Sequence, residues 1–163
     1  MLNWAEKGIY AGSFFVYDDE DDPRRPTCTL GYNTEDCVKE EMEDCDELEA
    51  RWNYACWLQN EELIFGEGEE SALIQAWIKE NRLFDCDTYN DDDQGCKITE
   101  AFVNILVDVV RDLHESGFIK KIFGKEIPIL IHELEYYDEI VEQNVRANGE
   151  KLCEGLRSFV ESI

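Results

Sequence analysis

The chain has 163 residues and a formal charge of −24. Such a surface repels nucleic acid and anionic membrane, and it disfavours an enzyme of phosphate-bearing substrates. Yet 44% of the residues are hydrophobic, with 4 Trp, 7 Tyr and 8 Phe, so a packed core in a single domain spanning 1–163 is expected rather than disorder.

Gly8 to Tyr17 is aromatic and β-branched and reads as a strand. Asp18, Asp19, Glu20, Asp21 and Asp22, followed by Pro23 and Pro26, break it as a hairpin tip. Thr27 to Tyr32 alternates and reads as the partner strand. Asn33 or Thr34 suits an N-cap, because a short polar side chain accepts from free helical N–H groups. Glu35 and Asp36 then fall where the helix dipole favours negative charge.

The spacing predicts one helix from Thr34 to about Ala50. Its inward stripe would be Val38, Met42, Cys45, Leu48 or Glu49, and Trp52. Between Glu35 and Glu49 stand nine acidic residues and one basic residue, Lys39. Glu40, Glu43, Asp44 and Glu47 fall on the outward side. Like charges at i,i+3 and i,i+4 cost roughly 0.2–0.5 kcal/mol per pair, which the stripe or a cationic partner must offset. Arg51, Trp52 and Trp57 follow in an aromatic block. Packing is its plainer role and an anchor beside the acidic face its sharper one.

Leu63 to Phe65 is a short apolar run ended by Gly66 and Gly68. Glu69 to Glu80 reads as a helix with Leu73, Ile74, Trp77 and Ile78 on one face. Residues 85–95 read as an acidic loop. Thr99 to Gly117 is the clearest helix, with Phe102, Ile105, Leu106, Val109, Val110 and Leu113 facing inward. Ile127 to His132 is apolar on both faces, as in a central strand. Asp138 to Val145 and Glu150 to Ile163 are closing helices parted by Asn148-Gly149. Paired strands followed by segregated helices argue for an α+β fold, with a mainly antiparallel sheet and helices packed on one face.

The charge is uneven. Residues 1–100 carry 27 acidic and 8 basic side chains, a net of −19, and residues 101–163 carry 12 and 7, a net of −5. A local acidic site fits this better than a uniform solubility coat. There is no apolar run of bilayer length. The N-terminus lacks the basic-then-apolar order of a secretory signal, so a cytoplasmic protein is expected. The seven cysteines are irregularly spaced without a C-x-x-C pair, which favours reduced, mostly buried thiols over zinc.

Catalytic patterns fail one by one. The loop 85–95 lacks the Gly and the final Glu of a calcium loop. His132-Glu133 begins H-E-x-x-H, but Tyr136 stands in place of the second His. No G-x-S-x-G or phosphate-binding glycine motif is present. Glu133, Glu135, Asp138 and Glu139 could act as paired carboxylates at a strand end, the alternative enzymatic reading. In an acid-rich chain such pairs also arise by chance. No catalytic residue, metal or cofactor is assigned.

Tyr32-Asn-Thr-Glu-Asp36, the block Arg51-Trp-Asn-Tyr-Ala-Cys-Trp57, and a long helix ending at Gly117-Phe118 resemble a family of small bacterial proteins, domain of unknown function 4303. The resemblance covers roughly residues 8–148 and its motifs are short. Such proteins usually open with a helix before the first strand, which this chain reaches by Gly8. The family has no catalytic residues to carry over. The resemblance implies a bacterial protein placed near toxin genes, where small acidic proteins serve as immunity partners. The expected partner is therefore a basic toxin domain, such as a nuclease, met by Glu40, Glu43, Asp44 and Glu47 with Asp18, Asp19, Asp21 and Asp22 as rim.

Overall fold

The computed structural model describes residues 7–84 and 91–163, with side chains from 97 onward in the second stretch. In chain order the elements are β1 (Ile9–Asp18), β2 (Pro26–Thr34), α1 (Glu35–Glu41), α2 (Glu47–Trp52), β3 (Leu63–Phe65), α3 (Glu69–Glu80), α4 (Asp91–Glu115), α5 (Phe118–Phe123), β4 (Ile129–His132), α6 (Asp138–Asn148) and α7 (Glu150–Val160). The strands form one sheet in the order β3-β2-β1-β4. β1 pairs antiparallel with β2, β2 antiparallel with β3, and β1 parallel with β4. This is the expected α+β domain with a mainly antiparallel sheet.

The helices, however, cover both faces. On one face Val16, Cys28, Ile129 and Ile131 pack against Ile74 and Ile78 of α3, α4 residues such as Phe102 and Val110, and Ala147 of α6. On the other, Tyr10, Ala11 and Leu130 pack against Val38, Ala50, Trp52 and Trp57, and against Leu156 and Phe159 of α7. Alternation along a strand sends neighbours to opposite faces. The doubly apolar β4 therefore needs cover on both sides, which one layer of helices could not give.

Three helical expectations change. The long helix Thr34–Ala50 is two helices. Thr34 caps α1 as expected, accepting from Cys37 N. After Glu41 the chain tightens into i,i+3 bonds, Glu43 N to Glu40 O and Asp44 N to Glu41 O. Asp46, in extended backbone, then starts α2 by accepting from Glu49 N at 3.0 Å. The proposed stripe breaks with the helix: Met42 is 46% and Leu48 38% exposed. In α4 the buried arc is Ile98, Phe102, Val103, Leu106, Val107 and Val110, while Ile105 and Val109 are exposed. On α3, Leu73 is likewise exposed. α4 also begins at Asp91 instead of Thr99, so 91–95 are helical. The rest of the expected loop, 85–90, lies outside the described residues.

β4 is an outer strand, yet its free edge is closed. Asn144 Oδ1 accepts from Ile131 N at 2.8 Å, and Asn144 Nδ2 donates to Ile131 O at 2.8 Å. Asn148 does the same for Ile129, at 2.7 and 3.0 Å. Four residues along a helix advance about 6.0 Å, and two along a strand about 6.6 Å. Two amides one turn apart on α6 therefore match alternate peptides of β4, like a mock strand sealing the edge.

Gly155 lets α7 reach α2. A Cβ there would lie 2.5 Å from the Trp52 indole. Gly→Ala inside a helix ordinarily gains about 1 kcal/mol. Gly155→Ala is expected to do the reverse and cost about 2 kcal/mol, because a buried ring must move. Urea unfolding gives the sign directly.

Candidate functional site

The acidic segment is built from the turn outward. Val38, Ala50 and Trp52 fix α1 and α2 on the sheet. Arg51 ties the two helices together: its guanidinium holds Glu35 through two bonds, 3.1 and 2.8 Å, and lies 4.6 Å over the Tyr10 ring. Its carbonyl accepts from Tyr10 Oη and Trp57 Nε1. That pairing holds the Glu35 carboxyl below the usual range. Lys39 is taken up by Asp36. Glu40, Glu43 and Asp44 are exposed and have no ion pair among the described residues. Glu47 is 4.0 Å from Arg51 and largely open.

The remaining predicted site residues are elsewhere employed. Trp52 and Trp57 are only 8% and 5% exposed, with their rings edge-on to Tyr10. They and Arg51 have packing roles, and the two indoles do not form a surface patch. At the hairpin tip Asp22 is bound by Arg24, and Asp19 and Glu20 by Arg25. The tip thus neutralises much of its own charge, leaving Asp21 exposed.

Sequence reading missed a buried polar pair. Ser13 Oγ lies 2.7 Å from His132 Nε2, and His132 Nδ1 lies 2.9 Å from Glu133 O. A carbonyl can only accept, so Nδ1 carries the proton and Ser13 donates to Nε2. Phe15, Tyr54, Trp57 and Tyr136 ring the imidazole. Burial pushes its pKa down to about 4. The geometry is that of a serine and its base, but both side chains are sealed from solvent. Ser13 and His132 are 119 positions apart, so only the parallel β1–β4 pairing brings them together.

Above this pair, at the carboxyl ends of β1 and β4, lies a cleft of about 290 Å³. Phe15, Tyr17, Asp18, Thr99, Glu133, Leu134, Glu135 and Tyr137 line it. Burial and the negative charges of Glu133, Asp22 and Asp21 raise Asp18 to about 6. Burial and Glu135 raise Glu133. Of the other carboxylates considered for catalysis, Asp138 and Glu139 are exposed in the first turn of α6.

The described cysteines, 28, 37, 45, 56 and 153, are free thiols. Among the described residues no group of three or more His, Cys, Asp or Glu is placed to hold a metal ion. Nor is any helix there long and apolar enough to cross a membrane. Compared with known protein families, curated proteins and solved structures, the chain matches none.

Proposed function

We propose that this protein is a non-enzymatic binding protein whose α1–α2 face docks onto a basic protein. The observation that carries the reading is the set Glu40, Glu43, Asp44 and Glu47. These are exposed carboxylates on a firmly anchored segment, the first three without an ion pair among the described residues. Concentrated negative charge steers a cationic partner and can stand in the place of phosphates in its cleft. An immunity-type role against a basic toxin domain, in the bacterial cytoplasm, is the setting that the resemblance to domain of unknown function 4303 suggests. Asp19 and Asp22 are already paired with arginines and Asp18 lines the cleft instead, so these three drop from the proposed rim and Asp21 stays.

Glu43→Lys/Asp44→Lys is expected to slow association with the captured partner by on the order of tenfold and to flatten its salt dependence, leaving dissociation little changed. Stopped-flow association at two ionic strengths measures both. An unchanged rate would remove this face from the interface.

The enzymatic alternative draws on the cleft, where Asp18 and Glu133 are carboxyls held above their ordinary range. The binding reading is preferred because the serine–histidine pair beneath the cleft is closed to any substrate.

A further inference from the structure

The cleft beside β1 and β4 has a charge pattern unlike the hairpin next to it. Asp19, Glu20 and Asp22 each receive an arginine from the same hairpin. Among the described residues Asp18 receives none, and its Oδ1 is buried with no hydrogen-bond partner there. The charged groups facing it are Glu133, Asp21 and Asp22, all negative. Glu133 also has no ion pair among the described residues, and its charged neighbour is Glu135. Both carboxyls line the cleft, where the charges around them are negative and a cation would be drawn in.

The walls say which donor. Phe15 and Tyr17 stack on one another, 5.6 Å between centroids, and both line the cleft. Leu134, 77% exposed, stands at its mouth. A second hollow of about 400 Å³, lined by Phe15, Tyr17, Tyr54, Gln59, Glu61 and others, continues past Leu134. A hydrated divalent ion prefers several oxygen ligands and gains little from rings. A flat or tetrahedral organic cation gains from both carboxylates and aromatic faces.

We infer that this cleft binds an organic cation, a guanidinium or ammonium group on an aliphatic stem, with Asp18 and Glu133 as its acceptors, Phe15 and Tyr17 as its wall, and Leu134 against the stem. The cation is either an arginine or lysine side chain of another protein or a free alkyl amine. The site uses none of the α1–α2 acids, so it and the docking face stand or fall separately.

The test is titration of butylguanidinium, and of the neutral isostere butylurea, into the ¹⁵N-labelled full chain at pH 7.5. Saturable shifts centred on Asp18 and Glu133–Glu135 are expected with butylguanidinium alone. Asp18→Asn and Glu133→Gln should each weaken binding about tenfold or more, while their spectra keep the folded dispersion. Binding should also weaken toward pH 5, as Asp18 takes up a proton amid Glu133, Glu135, Asp21 and Asp22. Acetyl-Gly-Arg-Gly-amide distinguishes the sources: tighter binding than butylguanidinium assigns the site to a protein side chain, weaker binding to a free amine. Equal shifts with butylurea, shifts confined to α1–α2, or binding that survives Asp18→Asn would overturn the proposal.

Discussion

Asn144→Ala is expected to cost about 3 kcal/mol of stability, one of the two largest effects foreseen for a single side chain. Asn144 is fully buried. Its amide serves Ile131 N, Ile131 O and Ile140 O, each at 2.8 Å. Truncation leaves the Ile131 N–H without a partner in the core, while Ile131 O keeps Gln143 Nε2 at 2.8 Å. Asn144→Asp should be worse still at neutral pH, since a carboxylate has no proton to offer the two carbonyls. It should recover partly in acid, where the protonated group donates once. Asn148 is less deeply buried, so Asn148→Ala should cost less. Equilibrium urea unfolding measures all three. A loss below about 1 kcal/mol for Asn144→Ala would mean that water or a shifted β4 replaces the amide.

The second large effect is a pH dependence. His132 has a pKa of about 4 in the folded protein, against about 6.5 in the unfolded chain. Between those values the unfolded state binds the extra proton. Stability from the neutral ring is therefore complete above about pH 6.5, is lost as pH falls toward 4, and changes no further below that. Each unit is about 1.4 kcal/mol, so the loss approaches about 3 kcal/mol. Asp18, raised to about 6, works in the opposite direction over part of the window. The comparison must therefore be with a variant that keeps Asp18. Ser13→Ala/His132→Leu removes both polar partners together and should be close to neutral at pH 7.5. Ser13→Ala alone strands His132 Nε2 and should cost about 1–3 kcal/mol. As pH falls from 6.5 to 4, wild type should become less stable than the double variant, by up to about 3 kcal/mol. A difference that stays flat would place His132 within reach of solvent.

How much of this was legible follows from the range of each interaction. β1, β3 and α3 begin and end within a residue of where strand composition, glycines and periodicity put them. The break at Gly149 between α6 and α7 was also read from local signals. The split of α1 from α2 carried a signal too: Asp46 three residues before Glu49 is a capping pattern. It was overridden there by a hydrophobic spacing that runs through it. The buried arc of α4 was misjudged because periodicity fixes an apolar face but not its width when neighbours lie on two sides. The sealing of β4 by Asn144 and Asn148 depends on how α6 packs along the strand that precedes it. The Ser13–His132 pair and the Asp18–Glu133 cleft join residues far apart in sequence, and the parallel β1–β4 register makes them neighbours. The acidic stretch was legible as charge. The structure adds which acids are already matched, by Arg51, Lys39, Arg24 and Arg25, and which are not.

The unmatched acids of α1 and α2 are expected to meet a cationic protein. The direct measurement is capture by the immobilised full chain at low salt, followed by association kinetics of the captured protein with wild type and with Glu43→Lys/Asp44→Lys. The expected result is a basic protein whose association rate falls steeply with added salt, and a charge-reversed chain that binds about tenfold more slowly with a shallower salt slope. A captured protein that binds both chains at the same rate, or the retention of no basic protein at low salt, would contradict it.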